Sequence, residues 1–307
     1  MSSEIKGATA IIAAAVMYGF TGVFIRFLTS TGLNVYSINF VEFLFGVVLI
    51  FFIADTWGER ISFPARQEWL YLIFIGFCFF GTTITLFYAF NYTTISNAEF
   101  LHFTFPILTM FGAALLLNEK LDAWKILALI LSIAGLFLIF DQAFSISRKM
   151  LVGSCCAFLS AFPVAGMTII GRKLKDRSAY FTTFWGILFA CIIYLPFFVF
   201  NNSISSFQQV GYIFQVAVFF TVIAAPLYFF GLRHMPASTA GILMLIEILS
   251  GTTVGFIFYQ EAPQPINLLG GLMIVVSCVL VLRTEKARSM LELEKSSFQP
   301  KDILEGK

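Results

Sequence analysis

The sequence predicts an all-α membrane protein of ten transmembrane helices, arranged as two inverted five-helix repeats. Composition and hydropathy, the lengths of the apolar runs and an internal alignment carry this. The chain has 307 residues, of which 59% are hydrophobic and 12% charged, where an ordinary soluble domain is about 25% charged. Its mean hydropathy is +0.90, more apolar surface than a soluble core can use. The apolar residues gather into ten runs, each long enough to cross a hydrocarbon core about 30 Å thick at about 1.5 Å per residue. Finally, the two halves align on each other at an offset of 142 residues.

The runs lie at about 7–28, 36–54, 69–91, 96–117, 123–141, 150–171, 179–199, 209–232, 238–258 and 265–282. The first is longer than a signal-peptide core and nine more follow it, so it reads as a retained span. The connections are short apart from a polar segment at 55–68. The division expected is a first five-helix unit at 1–145, a second at 146–283, and a solvated cytoplasmic polar tail at 284–307. The five cysteines lie inside apolar runs, with no CxxC pair, and read as packing residues. No metal site and no cofactor is expected. A net charge of +2 gives no case for nucleic acid. The lipid bilayer is the first expected partner, and the 39 phenylalanines read mainly as lipid-facing.

Lysine and arginine positions set the orientation. Outside the tail, ten fall on one side of the map, led by "RKLKDR" at 172–177, and only Arg26, Arg148 and Lys149 fall on the other. The positive-inside rule therefore places both termini in the cytoplasm, for a multi-pass protein of the plasma membrane.

The internal register is clearest where "AFNYTTISNAEFL" (89–101) lies on "GLRHMPASTAGIL" (231–243), setting Ser96 on Ser238, Ala98 on Ala240 and Leu101 on Leu243. The same offset carries Glu119 onto Glu261. Five spans per half is an odd number, so the halves enter the membrane from opposite sides. The stretch "ISNAEFLHFTFPILTMFGAALLLNEKL", its counterpart "ASTAGILMLIEILSGTTVGFIFYQEA" and the first-span "MYGFTGVFIRF" together resemble the EamA-type halves of the drug/metabolite transporter superfamily. Two positions depart from the usual pattern: Glu42 stands where many members have Arg, and Ile248 stands where the first half has Pro106. The resemblance implies a secondary transporter whose spans 1, 3, 4, 6, 8 and 9 surround a central cavity, with 5 and 10 at the periphery. It also implies structural roles for Glu119 and Glu261, closing the fourth and ninth spans.

Ionisable groups inside spans are costly and mark candidate sites. Counted along the helix, Glu99 lies roughly 5 Å from the outer end of its span, and His102 and Glu42 roughly 9 Å. Arg26 is near the outer end of span 1, and Glu247 lies roughly 13 Å along span 9, near the midplane. Glu247 is the leading candidate for binding a proton or a substrate ammonium, and His102 supplies an imidazole that titrates near neutrality in water. Glu99, Glu42, Arg26, Tyr18 and Tyr228 complete the candidate set, with Ser250 or Tyr228 the expected partner of Glu247 if its role is structural. Glu99, His102, Phe103 and Pro106 share one helical face by their spacing. Pro106, Pro163 and Pro226 are hinge candidates.

An acidic cavity with few cations suits amino acids or amines and suits nucleotide sugars poorly. The expected function is secondary transport of small metabolites such as amino acids or amines, in the direction of export, with proton coupling. The alternatives are an importer or exchanger of a cationic metabolite such as S-adenosylmethionine, or a non-transporting membrane scaffold. No catalytic residue is assigned: HExxH, GxSxG and Walker patterns are lacking. The sequence leaves open whether the protein is a homo-oligomer.

Overall fold

The computed structural model describes residues 3–56, 59, 61–93, 95–139, 148–259 and 264–297. Within them the chain is all helical. Nine helical stretches are long and apolar enough to cross a membrane, and Ala123–Ile139 is a shorter apolar helix at the place of the fifth expected span. The expected succession of apolar spans is therefore present, but four of them are interrupted.

Span 1 comprises α1 (Ser3–Tyr18) and α2 (Thr21–Ser30). Span 2 is α3 (Val35–Thr56) and span 3 is α4 (Glu68–Tyr92). Span 4 divides into α5 (Ile95–His102) and α6 (Phe105–Leu117), and span 5 is α7 (Ala123–Ile139). In the second half, span 6 is α8 (Arg148–Lys173) and span 7 is α9 (Ala179–Asn201). Span 8 comprises α10 (Phe207–Val216), a π-helical stretch (Ala217–Ala224) and α11 (Ala225–His234). Span 9 divides into α12 (Ala237–Leu243) and α13 (Ile246–Tyr259), and span 10 is α14 (Pro265–Ser297).

Each interruption has a local cause or a local consequence. Pro106 has no N–H for the His102 carbonyl, so span 4 breaks one turn ahead of it. In span 9 the corresponding bonds shorten to i→i+3, from Leu245 N–H to Ile242 and from Glu247 N–H to Met244. The break thus recurs within one residue of the repeat register, although Ile248 stands where Pro106 does. Span 1 breaks at Gly19, where a Cβ would lie 2.5 Å from the Ser250 Cβ, so only glycine lets α1 and α13 cross this closely.

Among the hinge candidates, Pro106 and Pro226 open helical segments that follow an interruption. Pro163 sits inside the continuous α8 and packs against Gly81 of α4.

Packing between the halves recurs with the halves exchanged. The third span lies on the sixth (α4 on α8) as the first lies on the eighth (α1 on α11). The fourth meets the sixth (α6 on α8) as the ninth meets the first (α13 on α1). Spans 2 and 7 pair with each other, as do spans 5 and 10. In the last pair Gly135 and Gly270 abut reciprocally, and a Cβ on either would strike the other's carbonyl oxygen at 2.6 and 2.4 Å. This is the pattern of a pseudosymmetric repeat.

One expectation is corrected. The polar tail does not begin as solvated chain at 284: α14 continues to Ser297, and Glu285 is buried against α7 and α12. Residues 298–307 and Glu261 lie outside the described residues.

Candidate functional site

The four interrupted spans and their neighbours enclose a cavity of about 240 Å³ lined by residues of both halves. One end of it reaches Leu28, Thr29 and Val35, where α2 turns into α3 on the face of the bundle away from Ser3. The other end stops at Tyr18, Phe105, Met167, Tyr228, Met244 and Glu247. Spans 1, 3, 4, 6, 8 and 9 contribute lining residues, as the family resemblance implies, and span 2 joins them through Glu42.

The cavity carries two carboxyl groups, Glu42 and Glu247, one imidazole, His102, and two phenols, Tyr18 and Tyr228. No lysine or arginine is among its lining residues. Arg26 and Glu99 do not line it either. Glu99 is nevertheless near enough to Glu247 to act on it electrostatically.

The two carboxyl groups are held differently. Glu42 Oε1 accepts a hydrogen bond from Thr221 Oγ1 at 2.6 Å. Thr221 belongs to the π-helical stretch, whose wide turns set this hydroxyl against span 2 just where Gly46 allows close approach. Glu247 stands in the first turn of α13, where the helix N-terminus favours negative charge. It has no hydrogen-bonding side chain among the described residues. Its two expected partners are engaged elsewhere: Ser250 donates to the Val16 carbonyl at 2.7 Å, and Tyr228 bonds Thr168. Tyr18 stacks on Phe220 with ring centroids 6.1 Å apart.

The tautomer of His102 follows from its neighbour. Ser160 Oγ gives its only hydrogen to the Ala157 carbonyl at 2.6 Å, so toward His102 Nδ1, 2.7 Å away, it can only accept. Nδ1 therefore carries the hydrogen, and Nε2 is the acceptor. The same logic makes Tyr228 the donor to Thr168, whose hydroxyl goes to the Val164 carbonyl. Two hydroxyls of the lining, Thr21 Oγ1 and Thr82 Oγ1, are buried without a partner among the described residues. Orphan hydroxyls in a cavity wall are unmet hydrogen-bonding capacity that a guest can satisfy.

The common face expected for Glu99, His102, Phe103 and Pro106 does not form. The break at 103–104 turns the chain between them, and only His102 of the four reaches the cavity. Sequence reasoning also missed Thr221, Ser160 and Thr168. Single hydroxyl residues in apolar runs carry no signal of their own.

A second polar cluster closes the end of the bundle that carries Ser3. Glu119 accepts from the Ala237 and Ser238 N–H groups at 2.7 and 3.1 Å and from Ser238 Oγ at 2.6 Å, so it caps α12. This agrees with its expected structural role, although the helix it caps belongs to the other half. Lys125, 0% exposed, pairs with Glu285 at 2.5 Å and donates to Ser238 Oγ at 3.3 Å. Glu285 also accepts from Thr239 Oγ1 at 2.9 Å. Arg172 of the "RKLKDR" loop donates to the Leu232 and Arg233 carbonyls at 2.8 Å each, and Arg177 forms a two-pronged pair with Glu68 at 2.6 and 2.8 Å. That loop is thus a structural clamp as well as a cluster of charge.

Residues 5–141 and 151–283 each match the model of the EamA-like transporter family. The chain is 24% identical over 253 residues to a pseudopaline exporter of Pseudomonas aeruginosa, covering 81% of this chain and 87% of that protein. It is 23% identical over 303 residues to a riboflavin transporter of Fusobacterium nucleatum, covering 92% and 99%. A solved crystal structure superposes with a TM-score of 0.78 at 14% identity, over 92% of this chain and 98% of that one, a likeness of fold.

Proposed function

The chain belongs to the EamA-like transporter family, and from that premise we propose that it is a proton-coupled exporter of small cationic or zwitterionic metabolites such as amino acids or amines. It sits in the plasma membrane with both termini in the cytoplasm. Its halves act as inverted five-helix repeats that rock about the central cavity.

The observation that carries the reading is the lining of that cavity: two carboxyl groups, one imidazole, and no lysine or arginine among its residues. Such a wall attracts an ammonium group and repels a phosphate or sulfate. The volume of about 240 Å³ lies just below the range of about 300–1,000 Å³ usual for ligand sites, which favours a small solute. Glu247, with no hydrogen-bonding side chain among the described residues, is the group that takes up either a proton or the substrate cation, so the two compete and are exchanged. His102, with Nε2 as acceptor, is the second proton-binding position. Glu42, anchored by Thr221, orients the substrate. In this orientation the cavity faces the outside and the Glu119–Lys125–Glu285 cluster closes the cytoplasmic side.

The test is flux in proteoliposomes under an imposed pH step, with a panel of labelled amino acids, amines and anionic metabolites. Amines or amino acids are expected to accumulate against their gradient. Movement of anions alone, or flux indifferent to the pH step, would sink the proposal.

A further inference from the structure

The end of the bundle that carries Ser3 holds a second cleft, of about 790 Å³, lined by both halves and separate from the central cavity. Its two walls differ in kind. Along the hydrocarbon side run Ile5, Ile12, Val279 and Leu282, from α1 and α14. These two helices touch at few points, and Ile5 and Val279 on this wall are exposed. The polar part of its lining is basic, with seven lysine and arginine residues against three glutamates.

Most of the internal partners there are already engaged. Glu119 caps α12 and Glu285 pairs with Lys125. Arg172 serves the carbonyls at the end of α11, and Lys173 lies over the Tyr71 ring. What remains is Lys120, Lys175, Arg283 and Lys286, all exposed, against the half-buried Glu4. An apolar slot capped by uncompensated cations matches one chemistry: an anionic phosphate ester carried on an acyl chain. Basic pockets between transmembrane helices hold acidic lipid head groups on these terms, and a guanidinium such as that of Arg283 takes two phosphate oxygens at once.

We propose that this cleft is a binding site for an anionic phospholipid, its phosphate between Lys120, Arg283 and Lys286 and its acyl chain along α1 and α14. The site is independent of the substrate held in the central cavity. A lipid seated here lies against Glu119, Lys125 and Glu285, the cluster that joins the two halves.

The test is native mass spectrometry of the full-length purified protein with phosphatidylglycerol, phosphatidylcholine or inorganic phosphate added, alongside melting curves. Phosphatidylglycerol is expected to be retained as one equivalent and to raise the melting temperature, phosphatidylcholine to do neither, and millimolar phosphate not to displace the lipid. The triple variant Lys120→Gln, Arg283→Gln, Lys286→Gln changes only exposed side chains, and is expected to bind phosphatidylglycerol at least tenfold more weakly with an unchanged lipid-free melting curve. The control variant Arg148→Gln, Lys149→Gln, at the other face, is expected to bind it as the wild type does. Equal retention of both lipids, or wild-type binding by the triple variant, would overturn the proposal. Displacement of the lipid by phosphate would reassign the cleft to a soluble phosphate compound and overturn the lipid assignment as well.

Discussion

Glu247 and Glu119 stand at opposite ends of the same short helix region, and the chain treats them in opposite ways. Glu119 gives both its carboxylate oxygens to the start of α12, with two backbone N–H groups and the Ser238 hydroxyl against it. Glu247, at the start of α13, has no hydrogen-bonding side chain among the described residues and faces a cavity. Roughly 15 Å of helix separates their levels. A carboxylate with both oxygens engaged by the fold holds structure and has little left for a guest. One without partners, at membrane depth, must find a proton or a cation from outside. The contrast separates the part of the molecule that binds from the part that locks.

Several substitutions sharpen or break this contrast. The largest effect is expected from Glu247→Gln, which keeps shape and removes the exchangeable charge: pH-driven flux falls at least tenfold while the melting temperature moves little. Loss of fold in that variant, seen by size exclusion and melting, would place Glu247 with the locking group instead. Next is Lys125→Met, which leaves Glu285 buried and unpaired; a stability loss of about 3 kcal/mol is expected, read by chemical or thermal unfolding in detergent. Adding Glu285→Met is expected to restore much of it, because the uncompensated charge is then gone.

Glu119→Ala removes the cap of α12 and is expected to cost about 1 kcal/mol, with the substrate KM unchanged. A KM change there would mean that the cluster and the cavity are not separate. Glu42→Gln keeps an acceptor for Thr221, so a several-fold rise in KM with preserved pH coupling is expected from flux titrations. The smallest effect is expected from Arg26→Gln, whose side chain does not line the cavity: flux within about twofold of wild type.

The sequence made the membrane class and the succession of spans legible, because apolar runs of this length have few other uses. It also made Glu247, Glu42, His102, Tyr18 and Tyr228 legible as a group, since polar side chains inside such runs are rare. It did not reveal the interruptions. Pro106 marks the break in span 4, but the matching break in span 9 has no proline and follows the geometry of the repeat. Nor did it separate Glu99 from His102, because one helical face was assumed where the chain turns between them. Lys125 reads from the sequence as one of the ten cations on the cytoplasmic side, and nothing in its neighbourhood signals that a glutamate 160 residues later, in the expected polar tail, pairs with it. Pairings of that kind are set by tertiary packing alone.

Whether Glu247 couples transport without building the fold is read by comparing substrate exchange with accumulation in the same proteoliposomes. For Glu247→Gln, exchange of labelled for unlabelled substrate is expected to persist at raised substrate concentration, with Glu42 left to hold the ammonium, while a pH step no longer drives accumulation. Accumulation at the wild-type rate in that variant would contradict it.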